Sequence, residues 1–293
     1  MHERKRKNAM LPKRYYWLLE ALTPISHGDT LTGVDNATNV RLFMRAGLFV
    51  KGVPRKVPAV SENMLRSAAV RIPLHNHLLD VLGIEKKTLP QSVTAILFNG
   101  GAVEKGSKAP TDEFMLGHQV KALYPSLDLL GGSTTSFILP PSRLRLCSWI
   151  LAKENAFVLR HVAPEYETEA QQVSLFDCLF EEVRTQGTGG DGRREDQHLY
   201  SYETMAAGTK LLLEATLTAH SSEAAASALM TAFTSWDGFI GGQGRQGRGR
   251  MAVLRQPGLS SDPYITHLTA HSDRMREGVL TGTLGTGKGI CAD

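Results

Sequence analysis

Apolar and polar positions along the chain follow two periods, and the order of the resulting stretches predicts the fold. Residues 14–28, RYYWLLEALTPISHG, are rich in aromatic residues and end with proline and glycine, which indicates a strand. Polar and apolar residues alternate at 142–152, which predicts a second strand, and further strands are predicted at 208–220 and 250–256.

Two helices complete the repeated pattern. Apolar residues recur at helical spacing after Ser61 and again after Ser222, and each serine is expected to cap its helix. Pro73 interrupts the first helical run and is expected to kink or split it. The order is strand, helix, strand, strand, helix, strand, so we predict an α+β fold of the ferredoxin-like type.

Three stretches lie outside this pattern. Residues 29–45 are polar and predict a loop, and residues from about 85 to 142 are rich in Gly, Pro, Ser and Thr and have poor periodicity. Residues from about 163 to 200 begin with an acidic, helix-prone part and end with the glycine-rich sequence RTQGTGGDGRREDQH. A glycine-rich charged sequence is typical of a protruding excursion.

The charge of the chain is small in total but unevenly distributed. The 293 residues carry a net charge of +4, and their 42% hydrophobic content is that of a globular protein. Seven Lys or Arg and one acid lie between Arg41 and Arg71, and four Arg and no acid lie between Phe239 and Ser261. The resulting basic face indicates nucleic-acid binding.

Cysteines and apolar runs limit the other classes of function. The three cysteines are far apart and have no C-x-x-C spacing, so we predict no disulfide framework, no metal site and no cofactor, in a reducing cytoplasm. The basic N-terminal stretch has a short apolar run that contains Glu20, which argues against a signal peptide. No apolar stretch approaches the ~20 residues of a membrane span, so no membrane partner is expected.

The sequence DGFIGGQGRQGRGRMAV, residues 237–253, predicts an anion-binding loop. It contains six glycines and three arginines, and no acid after Asp237. Glycine allows close backbone approach to a ligand, successive N–H groups form an anion site, and arginine grips phosphate with two hydrogen bonds. The alternative is a flexible surface loop with solvated arginines.

A second candidate phosphate site lies at the start of the first helix. Ser61, Asn63 and Arg66 occupy its first turns, and Arg71 follows further along. Exposed amides at a helix N-terminus favour phosphate. The alternative is ordinary capping with a solvated arginine.

Two other motifs have weaker support. GTLGTGKG, at 282–289, has phosphate-loop spacing, but glycine follows Lys288 where Ser or Thr is needed, and too few residues remain for a helix, so no NTPase is predicted. The HNH sequence at 75–77 places two histidines on different helix faces, which favours a surface or packing role.

One polar loop holds a candidate acid–base or metal constellation. His27, Asp29 and Asp35 lie close together in the sequence. Aspartates in loops usually make turn hydrogen bonds, and both interpretations stay open.

Four blocks in order resemble the RAMP superfamily of CRISPR proteins, and specifically its effector backbone subunits. They are LTPISHGDTLTGVDNA, PAVSENMLRSAAVR, AAGTKLLLEATL and FIGGQGRQGRGRM, at 22–37, 58–71, 206–217 and 239–251. The pattern is most similar to the type IV backbone subunit, and next to the type III subunits that cut target RNA. The helix departs from the family pattern, because Arg71 comes one residue late and Ser67 stands where glycine is common.

The resemblance implies one hand-shaped domain with a modified ferredoxin-like (RRM-like) palm, large insertions and a projecting thumb. The implied parts are a palm at 14–82, 143–162 and 200–256, a fingers-like insertion at 83–142, a thumb at 163–200 and a C-terminal extension at 257–293, within a single domain of 1–293.

The resemblance also implies a function. The chain would bind a guide CRISPR RNA, polymerise along it as a helical filament with copies of itself and other effector subunits, and present it for pairing with target DNA or RNA without cutting. The implied RNA-binding residues are Ser61, Asn63, Arg66, Arg71, Gly241, Gly242, Gly244, Arg245, Arg248 and Arg250. No catalytic residue is assigned.

Two alternatives remain. Asp35 matches the loop position where type III subunits carry their catalytic aspartate, so one alternative is a metal-dependent endoribonuclease that uses Asp35. The other is a solitary RNA-binding domain that forms no filament.

Overall fold

The protein is described by a computed structural model that covers residues 12–28, 40–101, 114–134, 139–186, 198–242 and 244–286. The candidate aspartates Asp29 and Asp35, the centre of the expected thumb at 187–197, and Lys288 lie outside the described residues. Predictions that concern them stay predictions.

Groups of strands and groups of helices follow one another along the described chain. The strands are β1 (Lys13–Ala21), β2 (Val40–Arg41), β3 (Arg45–Val50), β4 (Val53–Pro58), β5 (Leu144–Ile150), β6 (Leu179–Gln186), β7 (His198–Met205), β8 (Lys210–Leu217) and β9 (Met251–Arg255). The α-helices are α1 (Glu62–Leu65), α2 (Ile72–Leu82), α3 (Gln91–Thr94), α4 (Phe114–Leu123), α5 (Pro125–Leu130), α6 (Ala156–Val162), α7 (Glu167–Ala170), α8 (Glu223–Thr234) and α9 (Asp262–Leu280).

The central sheet has the strand order β5-β8-β1-β9, and all its neighbouring strands are antiparallel. The run of α1 and α2 lies between β1 and β5 together with inserted elements, and α8 lies between β8 and β9, so this is the ferredoxin-like arrangement. The predicted α+β fold class is therefore confirmed. Strands β2, β7 and β6 form a second, three-stranded sheet, and β3 pairs with β4 in a hairpin.

Both faces of the central sheet are covered, which explains the continuous buried run in β1. Trp17 and Leu19 face the main core, where Trp17 stacks on Phe233 of α8 with ring centroids 4.4 Å apart. Leu18 faces a smaller core with Leu159 of α6. A strand that is buried on both faces has a continuous apolar sequence, because neither of its faces is exposed to water.

The first helical run is continuous despite Pro73. Ser61 caps α1, as predicted, since its Oγ accepts a hydrogen bond from the N–H of Met64 at 3.2 Å. A π-helical segment at Arg66–Arg71 joins α1 to α2, and the N–H of Ile72 donates to the carbonyl of Ser67. Pro73 occupies the first turn of α2, directly after the π-helical segment, so the α-helix is interrupted before Pro73 although the run stays helical throughout; the expected kink stays a prediction.

Two helical regions were not predicted. Residues 85–142 contain α3, α4 and α5, and every residue of Pro125–Leu130 is buried. A short helix that is buried on all sides has no amphipathic period to detect. Helix α9 packs on α2 and α8 through a few residues such as Tyr264 and Met275, and the rest of its surface is largely polar. No helix among the described residues meets the length and apolarity that a membrane span requires.

Candidate nucleic-acid interface

Residues Ile25–Gly28, which we call the junction segment, follow β1 and connect four distant parts of the chain. Ile25 exchanges two backbone hydrogen bonds of 2.9 Å with Met205 at the end of β7. The carbonyl of Ser26 accepts the N–H of Gly242 at 2.8 Å, and the carbonyl of His27 accepts the N–H of Met44 at 2.8 Å. The junction segment therefore holds the glycine loop beside the second sheet.

His27 extends the junction segment to the helix tip. The N–H of Ser61 donates to Nε2 of His27 at 3.3 Å, and the His27 ring meets Phe43 edge-on with centroids 5.8 Å apart. The Ser61 hydroxyl is used for capping, and Asn63 is exposed in the first turn of the helix. The helix tip and the glycine loop thus contact adjacent residues of one segment, although some 180 residues separate them in the sequence.

The glycines of the loop allow its backbone to lie against the junction segment. Gly241 has a φ of +77°, and a Cβ there would lie 2.4 Å from the carbonyl oxygen of Ser26. Gly249 has a φ of +76°, and a Cβ there would lie 1.9 Å from the carbonyl oxygen of Ile240. Both positions exclude a side chain, so these two glycines are required for packing, while Gly244 has open space around it.

The three arginines of the loop have different environments. Arg248 forms a two-pronged ion pair with Glu182 of β6, with Nη1 of Arg248 2.7 Å from Oε1 and Nη2 bonded to Oε2. Arg245 and Arg250 are exposed, and neither side chain forms an ion pair within the described residues. Arg245 and Arg250 are therefore available to an external anion, whereas Arg248 is already neutralised.

Glu182 is held by donors from two elements. Tyr202 Oη and Thr204 Oγ1 donate to its carboxylate at 3.1 and 3.3 Å, and the Arg248 guanidinium lies 5.3 Å from the centre of the Tyr202 ring. The hydrogen bond from Arg248 is the main cause that holds the pKa of Glu182 below its usual range. This ion pair links the glycine loop to the hairpin of β6 and β7.

A second ion pair links the same hairpin to β3. Arg45 contacts both carboxylate oxygens of Glu203, one of them at 2.8 Å, and Glu203 also accepts the N–H of Phe43 at 2.8 Å. Both side chains are mostly buried. Glu182 and Glu203 therefore anchor the β6–β7 hairpin to both sides of the junction segment.

Arg66 and Arg71 of the predicted phosphate helix also differ from each other. Arg66 donates to Ser142 Oγ at 3.0 Å and to the carbonyl of Leu144 at 2.8 Å, so it ties the helix to β5. Arg71 lies beside Gly100, and its Nε is buried with no acceptor. Burial lowers the pKa of both guanidinium groups, and the charge of Arg66 adds to the effect at Arg71.

A half-buried guanidinium without a carboxylate is costly unless an anion compensates its charge. Arg71, Arg245 and Arg250 are thus the sequence-predicted cations that the structure leaves able to contact phosphate. Arg66 and Arg248 instead have intramolecular partners. No group of three His, Cys, Asp or Glu side chains in the described parts of the chain is placed to hold a metal ion.

Sequence reasoning did not identify the anchoring role of Glu182 and Glu203. Glu182 lies in the segment that the sequence marked only as acidic and protruding, Glu203 lies just beyond it in the predicted palm, and their partners are 66 and 158 residues away. No local signal in the sequence pairs residues at such distances.

Comparison with solved structures gives a similarity of fold. No protein-family model and no curated protein matches the chain. A chain from a solved structure entitled "Type IV-B CRISPR Complex" superposes with a TM-score of 0.55 at 18% identity, and the match covers 84% of this chain and 91% of that one. At this identity, the similarity establishes a shared fold.

Proposed function

We propose that the chain is a guide-RNA-binding backbone subunit of a CRISPR effector complex, which polymerises along the RNA and presents it for pairing with a target. The observation that carries the proposal is the junction segment, where the helix tip and the glycine loop meet. The fold similarity to a chain of a type IV-B CRISPR complex supports it independently.

Binding would depend on the RNA backbone and not on its sequence. Arg71, Arg245 and Arg250 supply positive charge without a carboxylate partner among the described residues, and exposed Asn63 adds an amide. Phosphate contacts of this kind give affinity that falls with rising salt. Sequence would be read by the bases of the guide, which pair with target DNA or RNA.

Polymerisation would use a head-to-tail interface between copies, because a filament needs two different surfaces on each subunit. The β6–β7 hairpin, anchored by Glu182 and Glu203, is the element that we assign to the projecting thumb. Other effector subunits would cap the filament ends.

Cleavage of target RNA through Asp35 is the alternative function. Asp35 lies outside the described residues, in the stretch of sequence that directly follows the junction segment. The imidazole of His27 already accepts the N–H of Ser61 and packs on Phe43, which argues against its use as a free base. We therefore favour binding without cleavage.

The test is to copurify the protein with its nucleic acid and to measure the length and stoichiometry of that nucleic acid. RNA bound by several copies at a regular spacing is expected, and the protein alone should be smaller by size-exclusion chromatography with light scattering. A fixed 1:1 complex on long RNA would contradict polymerisation. Regular cuts in complementary RNA with Mg²⁺, lost in Asp35→Ala, would establish the alternative.

A further inference from the structure

A basic cavity lies at the opposite end of the central sheet from the junction segment. Leu217, at the end of β8, pairs with Lys13, whereas the junction segment follows the other end of β1. The nine residues of β1 span eight steps between the two ends, or roughly 26 Å at ~3.3 Å per step. The cavity has a volume of about 390 Å³ and is lined by His118, Lys121, Ala122, Pro125, Asp128, Arg143, His220, Ser222, Ala224 and His267.

The one acid of the cavity is already neutralised. Nζ of Lys121 lies 3.1 Å from Oδ1 of Asp128, and Nε of Arg143 lies 3.4 Å from the same oxygen. Lys121 also donates to the carbonyl of Pro141 at 2.8 Å. Burial lowers the pKa of Lys121, and Asp128 opposes that change. One full positive charge therefore remains in excess.

Several groups that line the cavity still have hydrogen-bond donors to offer. The two Nη groups of Arg143 donate to no described residue, and its side chain is 29% exposed. The rings of His118 and His220 are exposed and make no hydrogen bond to a described residue. Ala224 adds an N–H from the first turn of the 12-residue helix α8, which has no partner within the helix.

The third histidine, His267, lies on α9 and also lines the cavity. Its Nε2 lies 3.0 Å from the carbonyl of Leu123, so Nε2 donates to that carbonyl. Together, Arg143 and the imidazole rings of the three histidines place hydrogen-bonding nitrogens around one cavity.

We propose that this cavity binds the phosphate group of a small phosphate monoester, separately from the nucleic-acid interface. Arg143 recognises phosphate through its free Nη groups, and His220 and the α8 N-terminus add further donors from the lining of the cavity. The volume is in the range of small-molecule sites, ~300–1,000 Å³, and leaves room for more than a phosphate group. Ala122, Pro125 and Ala224 supply small apolar surfaces for the rest of the ligand.

The test is calorimetric titration of the full chain with inorganic phosphate and with adenosine 5′-monophosphate, at one slightly acidic pH and constant ionic strength. Saturable binding is expected for both. Arg143→Gln should weaken binding about tenfold or more, as for the loss of a charge-assisted hydrogen bond. His220→Gln should weaken it severalfold, and it keeps the protein folded because the ring is exposed and unbonded.

The control variant is Arg276→Gln, which removes an exposed arginine of α9 that belongs neither to the cavity nor to the nucleic-acid interface, and it should leave phosphate binding unchanged. A matched titration with single-stranded RNA that lacks terminal phosphates distinguishes the two sites. The proposal is overturned if neither ligand binds, or if binding is unchanged in both Arg143→Gln and His220→Gln. It is also overturned if both variants weaken RNA binding as strongly as phosphate binding, because the cavity would then be part of the nucleic-acid surface.

Discussion

Replacing Arg248 tests whether this arginine of the glycine loop stabilises the protein or binds RNA. Its guanidinium and the Glu182 carboxylate are 13% and 20% exposed, and two hydrogen bonds join them. Tyr202 and Thr204 complete the acceptor shell of Glu182. Arg248→Gln would leave this mostly buried carboxylate with two neutral donors.

The magnitude follows from the loss of a charge-assisted pair in a partly buried site. A fully buried ion pair that loses one partner costs ~3–5 kcal/mol, and a hydrogen bond to a charged group contributes ~1.5–3 kcal/mol. Because both side chains remain partly exposed to solvent, we expect the free energy of unfolding to fall by about 2 kcal/mol at neutral pH. Glu182→Gln should lower the free energy of unfolding by about as much, and the double variant should lower it by less than the sum of the two single effects.

Urea denaturation followed by circular dichroism measures these values, and titration with RNA at fixed salt measures binding. The difference in the free energy of unfolding between wild type and Arg248→Gln should shrink as the pH falls below the usual pKa range of glutamate. The depressed pKa of Glu182 contributes stability above that range, and the contribution is lost when the carboxylate is protonated. An Arg248→Gln protein with wild-type stability and weakened RNA binding would refute the anchoring role and make Arg248 a phosphate ligand.

Three further predictions concern other residues. Gly249→Ala should lower the free energy of unfolding by ~2 kcal/mol or more, because Gly249 has a positive φ and its Cβ would meet the carbonyl of Ile240. The control Gly244→Ala should change the free energy of unfolding by less than ~0.5 kcal/mol, and equal effects of the two variants in a urea titration would contradict the assigned packing role. The variants Arg245→Gln and Arg250→Gln should each leave the thermal midpoint of unfolding unchanged and should reduce the slope of log RNA affinity against log salt concentration by about 0.7 per lost phosphate contact. Unchanged slopes would show that neither residue belongs to the interface. Burial lowers the pKa of His75 to about 3, so the unfolded chain binds more protons between about pH 3 and pH 6.5, and stability should fall as the pH drops through that window. His75→Leu should flatten this part of the stability profile, and an unaltered profile would show that other groups cause the acid dependence.

Much of the central sheet could be predicted because its signals are local. The apolar run of β1, the alternation in β5 and the serine caps before α1 and α8 each depend on neighbouring residues. The β3–β4 hairpin and α9 were not predicted. The turn of that hairpin is Lys51–Gly52, where both residues have positive φ, and the Lys is not among the residues that usually signal such a turn.

The candidate site could be predicted only in part. The sequence marked the glycine loop and the helix tip as cationic and open to phosphate. It did not distinguish Arg71, Arg245 and Arg250, which have no carboxylate partner in the described structure, from Arg66 and Arg248, which have intramolecular partners. All five are arginines in basic stretches, so composition treats them alike.

The sequence by itself determined the order of strands and helices in the central fold, because caps and periodicity act within a few residues. Only the tertiary structure decided which charges are used internally and which remain for a ligand. An ion pair such as Arg248–Glu182 forms between residues that the chain brings together from 66 positions apart. Its strength depends on burial and geometry, which exist only once the sheet, the hairpin and the glycine loop have packed around the junction segment.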